Sequence, residues 1–172
     1  MDIHLEKVQE AATNRQAIDL QYFSPGSGEF TERTIEPIGV VQHGNTWHVI
    51  AYCRLRQGYR NFRLDRMSKL SLHPETYAPH DQPLLMQYLE EQSQTTDATL
   101  IKVQFAASAA PLVRQQRRRF GFVQELIRKE AVEMWFLVVQ EEAFCQWLLM
   151  HGEVFTIVSP VRLHEVVRSL LK

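Results

Sequence analysis

The chain has 172 residues, 45% of them hydrophobic and 23% charged, with a formal net charge of −1. This is the composition of a soluble globular protein, one domain or two small ones, and no bulk charge argues for nucleic acid. No apolar run approaches the roughly 20 residues that span a bilayer, and the polar amino terminus lacks the apolar core of a signal peptide, so no membrane partner and a cytoplasmic location are expected.

In chain order, Ile3–Asn14 reads as an amphipathic helix with Ile3, Leu5, Val8, Ala11 and Ala12 apolar. Ala17–Phe23 alternates as a strand, Ser24–Gly28 is a turn, and Thr31–Val41 is a strand whose Pro37 suits an edge or a bulge. His43-Gly44-Asn45 is a hairpin loop. Trp47–Arg54 and Tyr59–Arg66 are two strands around the turn Arg56-Gln57-Gly58, and Met67–Leu72 is a fifth, with Met67, Leu70 and Leu72 inward. Five short strands and one leading helix predict a small SH3- or Sm-like five-stranded β-barrel over residues 1–73, closed so that its edges are hidden. Residues 74–98, with Pro74, Pro79, Pro83 and a polar run, read as a linker around a short helix.

The remainder, 99–172, follows the order β-α-β-β-α-β-α, which predicts a ferredoxin-like α/β sandwich with an added helix, an α+β fold overall. Its elements are a strand at 99–105, a helix ending at Gly121, strands at 123–128 and 133–139, a helix from Glu141 to Gly152, a strand at 154–158 and a last helix after Ser159-Pro160. Trp135, Trp147, Phe144 and Phe155 are expected in the core, where each such side chain stabilises by about 1.5–3 kcal/mol on area grounds.

The chemistry-bearing feature is a cluster of arginines. Arg54, Arg56, Arg60, Arg63 and Arg66 fall on one hairpin, and Arg33 arrives from an earlier strand. Guanidinium forks suit phosphate because they make two parallel charge-assisted hydrogen bonds. The nearby rings of Tyr22, Tyr52, Tyr59 and Phe62 suit either base stacking or packing beneath the arginine stems. Pairing with Asp65, Glu32 or Glu36 is the competing structural reading. A second basic stretch puts Arg114, Arg117 and Arg118 on one helix face, as a solvated surface or as a completion of a phosphate site. Cys53 and Cys145 lie far apart in apolar contexts, the seven histidines are scattered, and no phosphate-loop, dinucleotide or nucleophile-elbow motif occurs. Neither an enzyme nor a cofactor or metal site is therefore expected.

The segment Arg60-Asn61-Phe62-Arg63-Leu64-Asp65-Arg66, with Trp47-His48-Val49 on the preceding strand and W-L-L-M-H-G-E-V-F-T-I-V-S-P at 147–160, resembles the WYL-domain family of bacterial transcription regulators with its C-terminal extension. The resemblance implies the same barrel. It singles out Arg33, Arg60, Arg63 and Arg66 as the recurrent basic positions. It puts His48 where the family has its central tyrosine, beside Tyr52. It also implies a homodimer built through the extension domain. Family regulators usually begin with a winged helix-turn-helix, whereas Ile3–Asn14 resembles only the helix that precedes the barrel. A stand-alone sensor and a fragment both fit, and operator DNA is expected as a partner only if a helix-turn-helix is supplied elsewhere.

The expected function is a ligand-sensing and dimerisation module of a bacterial transcription regulator. It binds a nucleotide or short single-stranded nucleic acid through Arg33, His48, Tyr52, Arg60, Arg63 and Arg66. The alternative is a protein-interaction module whose basic barrel surface meets an acidic partner.

Overall fold

The structure is a computed structural model that describes residues 3–43 and 45–172. Two compact units divide the chain, Met1–Met86 and Gln87–Lys172. Among the described residues are nine strands, five α-helices and two 3-10 turns, and no helix is long and apolar enough to cross a membrane.

In the first unit, α1 (Ile3–Asn14) buries Leu5, Val8 and Ala11, three positions a helical turn apart, against the sheet, while Ile3 faces out. The strands are β1 (Gln16–Ser24), β2 (Glu29–His43), β3 (Thr46–Cys53), β4 (Gly58–Arg63) and β5 (Met67–Thr76). They form one sheet in the order β4-β3-β2-β1-β5, every neighbouring pair antiparallel. The hairpin expected at His43-Gly44-Asn45 joins β2 to β3, but Gly44 lies outside the described residues.

Three details depart from the expectation. No ladder joins β4 to β5 among the described residues, so the hydrogen-bonded sheet is open rather than a closed barrel. β4 stops at Arg63, and residues Leu64–Arg66 form a 3-10 turn in which Leu64 and Met67, three apart, are both buried. Strict alternation therefore fails beyond Arg63, and Arg66 does not share a strand face with Phe62. Finally, the β1–β5 pairing shifts register twice, with Lys69 at φ 50° inside the second shift. Leu70 stays buried, but Leu72, expected inward, is exposed. Pro37 does mark a bulge, between Pro37 and Gly39, although β2 is an interior strand. Pro74 is tolerated inside β5 because β5 is an edge strand whose missing N–H faces no neighbour.

The second unit holds the later part of α2 (Gln82–Thr95), which occupies much of the stretch expected as linker. Then follow β6 (Thr99–Ala106), α3 (Ala110–Gln116), a 3-10 turn at Arg117–Phe120, β7 (Phe122–Ile127), β8 (Ala131–Val138), α4 (Glu141–Leu149), β9 (Phe155–Ser159) and α5 (Leu163–Leu170). The order of elements is the one the sequence predicts. The sheet runs β7-β8-β6-β9, antiparallel throughout. One face carries Ile101, Val103, Phe105, Met134 and Phe136, and α4 lays Phe144, Trp147 and Leu148 on it. Trp147 stacks on Phe120 with centroids 4.3 Å apart and donates from Nε1 to Gln116 Oε1 at 2.8 Å. Trp135, expected in this core, is buried on the other face of β8. There the Lys102 ammonium sits 4.6 Å over its ring and its Nε1 donates to Glu133.

Gly121 explains the sharp stop after the 3-10 turn. It has φ 79°, and a Cβ there would lie 2.0 Å from the Leu137 carbonyl oxygen. Only glycine lets the chain cross β8 at this distance.

Candidate functional site

The register of β2, β3 and β4 divides the predicted site between the two faces of the first sheet. Ile35 stands opposite Cys53, Ala51 opposite Arg60, Val49 opposite Phe62 and His48 opposite Arg63. Cross-strand partners share a face. Arg33 and Arg60 therefore belong to the face that carries the core, and His48, Tyr52 and Arg63 to the opposite, outward face.

On the core face, Arg33 is only 8% exposed. Its Nε donates to Thr31 Oγ1 at 3.1 Å and its Nη1 to Cys53 Sγ at 3.6 Å. The guanidinium carbon lies 5.8 Å from the Tyr22 ring and 5.7 Å from the Phe62 ring, which themselves pack edge-on at 5.0 Å. Among the described residues no carboxylate pairs with Arg33 or Arg60. A buried cation without a counter-charge is costly, so its retention calls for an anion. Gly58 stands opposite Cys53, in the row between Arg33 and Arg60, and a Cβ on it would meet nothing within 4 Å. Arg60 is exposed on the same face.

On the outward face the predicted residues have partners of their own. Arg63 forms a bidentate pair with Asp65, Nε to Oδ1 at 3.1 Å and Nη2 to Oδ2 at 2.7 Å. That hydrogen bond holds the Asp65 carboxyl below its ordinary range, helped by the charges of Arg63 and Arg66. The Arg63 backbone N–H donates to the Tyr22 hydroxyl at 3.1 Å, which ties this segment to β1. His48 Nδ1 lies 2.8 Å from Asn61 Oδ1. Arg54 is paired with Glu36 at 2.9 Å and with Glu75 at 3.3 Å. Arg66 sits half-buried in the 3-10 turn. Tyr52 is part of an aromatic group with Tyr59, Tyr77 and His80.

An open cleft of about 580 Å³ lies on this unit, lined by Asp19, Gln21, Glu32, Arg33, Thr34, Arg54 and Lys69 among others. Its three cations, Arg33, Arg54 and Lys69, outnumber its two carboxylates, Asp19 and Glu32.

The second basic stretch is structural where its partners are visible. α3 ends at Gln116, so Arg117 and Arg118 leave the helix face that Arg114 occupies. Arg114 and Arg117 share Glu125 at 2.8 and 2.9 Å, and the Arg117 guanidinium carbon lies 3.6 Å over the Phe122 ring. Arg118 is exposed. Among the described residues no group of three or more His, Cys, Asp or Glu side chains is placed to hold a metal ion.

The sequence reading missed Thr31, Tyr77 and His80, while Glu36, named as a possible arginine partner, does pair with Arg54. Thr31 carries no signal until its hydroxyl is seen to accept from Arg33. Tyr77 and His80 were hidden by the prolines around them, which read as linker.

Residues 3–72 match the WYL domain and residues 97–172 match the WCX domain. The chain is 34% identical over 76 residues to the HTH-type transcriptional regulator YobV of Bacillus subtilis, a match covering 44% of this chain and 24% of that protein. It is 42% identical over 50 residues to the DNA-binding transcriptional repressor CapW of Pseudomonas aeruginosa, covering 29% of this chain and 17% of the repressor. These matches span about a quarter or less of the curated relatives' length. Among solved structures, proteasome accessory factor B/C of Arthrobacter aurescens is similar over 95% of this chain and 25% of its own, with 19% identity and a TM-score of 0.41. A CRISPR Cas-related protein is similar over 98% and 50%, with 14% identity and a TM-score of 0.42. Neither likeness is close enough to transfer a geometry. With a WYL domain in its first part and a WCX domain in its second, the chain belongs to the WYL-domain family.

Proposed function

We infer that this chain is the sensor portion of a bacterial, cytoplasmic transcription regulator, and that it binds a phosphate-bearing ligand, a nucleotide or a short single-stranded nucleic acid. The five-stranded sheet is then an SH3/Sm-type half-open barrel and the second unit a ferredoxin-like sandwich. Homodimerisation through the second unit and contact with operator DNA belong to the whole regulator in this reading. The observation that carries it is Arg33, a buried guanidinium that lines an open cleft and that no carboxylate pairs among the described residues. Arg60 and Arg66 serve as outer phosphate contacts, Arg63 joins them only by leaving Asp65, and His48 and Tyr52 are secondary because they lie on the other face.

The test is fluorescence anisotropy with labelled single-stranded and duplex oligonucleotides and a mononucleotide over a salt series, with Arg33→Met and Arg60→Ala variants. Binding of the single strand that weakens with salt is expected, with a slope of roughly 0.7 per phosphate contact, and each variant reducing it. Wild-type binding that both variants retain in full would remove the arginine site. Absence of binding at low salt would remove the nucleic-acid reading and move an acidic protein partner forward.

A further inference from the structure

Residues 77–81, between β5 and α2, have no regular secondary structure, yet they lie as a strap across the outward face of β2, β3 and β4. The Tyr77 N–H donates to the Arg15 carbonyl at 2.9 Å, and its hydroxyl donates to the Pro37 carbonyl at the β2 bulge. The His80 imidazole then sits 5.2 Å from the Tyr77 ring, 5.4 Å from Tyr59 and 5.8 Å from Tyr52. Its Nε2 is 3.5 Å from Glu36 Oε1, with the two side chains only 12% and 13% exposed. Arg54 holds the other Glu36 oxygen at 2.9 Å and is itself held by Glu75. Burial, and the nearby charges of Asp81 and Glu36, push the Tyr59 hydroxyl up to about 12.

Two aspects of this arrangement point beyond packing. An apolar side chain at position 80 would cover the same rings without desolvating an imidazole. What is built instead is the usual composition of a small-ligand site. Aromatic walls surround a flat ring, and one oriented carboxylate faces a ring nitrogen. Among the described residues no ladder joins the strap to the sheet, which it meets through side chains and the Tyr77 backbone bond, so it can leave without breaking the sheet.

We propose that Tyr52, Tyr59 and Glu36 form a binding site for a planar, N–H-bearing heterocycle, and that His80, on a strap clasped by Tyr77, is its internal occupant. The site lies on the opposite face from Arg33 and does not depend on anion binding there. A ligand ring entering it displaces His80 and frees residues 77–81, the segment that joins β5 to α2.

Benzimidazole is the probe, added to the full chain while amide hydrogen exchange is followed at fixed pH. Exchange at Ala78, His80 and Asp81 is expected to rise saturably, about tenfold with the probe at ten times its dissociation constant for the open state. The rise is lost in Tyr52→Ala and in Glu36→Gln. In parallel, imidazole is expected to raise the melting temperature of His80→Gly saturably while leaving the wild type unchanged. Strap exchange that ignores benzimidazole in the wild type overturns the proposal, whether or not His80→Gly folds. So does a rise that Tyr52→Ala and Glu36→Gln both keep.

Discussion

Replacing Arg33 by methionine separates a binding anchor from a structural brace, because the two roles predict opposite signs for stability. Methionine nearly matches the stem in length and keeps a contact with the Tyr22 and Phe62 rings through its sulfur. What disappears is the charge, a 3.1 Å hydrogen bond to Thr31 and a weak one to the Cys53 sulfur. Those two bonds contribute about 0.5–1.5 kcal/mol each at most, and cation–π contacts at 5.7–5.8 Å about another 0.5–1 kcal/mol. Against this stands the relief of a guanidinium that is 8% exposed and lacks a carboxylate. Exchanging buried ionic groups for apolar ones of like volume is often stabilising, by about 1–4 kcal/mol. The net expectation runs from about zero to a gain of ~2 kcal/mol, together with loss of phosphate-ligand binding. For a unit of this size, ~1 kcal/mol moves the melting temperature by about 4–8 °C. Urea unfolding followed by circular dichroism reads the first quantity, and anisotropy the second. Destabilisation beyond about 2 kcal/mol, with binding intact, would refute the reasoning and make Arg33 a brace.

Other outcomes follow from single contacts. Gly121→Ala drives a Cβ to within 2.0 Å of a backbone oxygen at φ 79°, so a loss of about 2–4 kcal/mol is expected in chemical denaturation. Arg117→Ala removes a partner of Glu125 and the cover of Phe122, so the second unit loses about 1–3 kcal/mol while oligonucleotide affinity holds. The hydrogen bond from Arg162, with a second from Thr99, lowers the Glu141 carboxyl below its ordinary range. Its contribution is therefore present above the unfolded value near ~4.3 and lost as pH falls through the folded one. The melting-temperature gap between wild type and Glu141→Gln should close in acid. His80 is lowered chiefly by burial, with Glu36 pulling the other way, so the folded state favours the neutral ring. The first unit then loses stability as pH falls below the unfolded value of ~6.5, and His80→Phe removes that dependence in a pH series of thermal melts.

The alternation of β3 and β4 could be read from the sequence, and Val49, Ala51 and Cys53 do share a face, which the structure buries with Phe62. It held because strand side chains keep a period of two whatever the neighbours are. It broke at Leu64, where a 3-10 turn replaced the strand, a choice set by burying Leu64 and Met67 together. The open sheet was equally hidden, since closure depends on whether two edge strands meet. The helix stop at Gly121 was visible because its signal is a single residue. Asp65 and Glu36 could be named as partners, but not which arginine each would take, and Glu75, 21 positions from Arg54, carried no local signal at all.

A cluster of arginines in a sequence is therefore an inventory, and pairing decides which members can act. Arg54 and Arg63 are spent on Glu36, Glu75 and Asp65, and Arg114 and Arg117 on Glu125. Arg33 is the least exposed of the set, yet among the described residues no carboxylate answers its charge. Exposure alone would rank it last, because a buried residue reaches fewer partners. Desolvation reverses that ranking, since an anion that reaches a dehydrated guanidinium exchanges water for a far stronger field than it meets at the surface. The number of arginines on the hairpin then predicts little about affinity. The salt slope, which counts phosphates neutralised, should be shallower than five hairpin arginines suggest, and Asp65→Asn should steepen it by releasing Arg63.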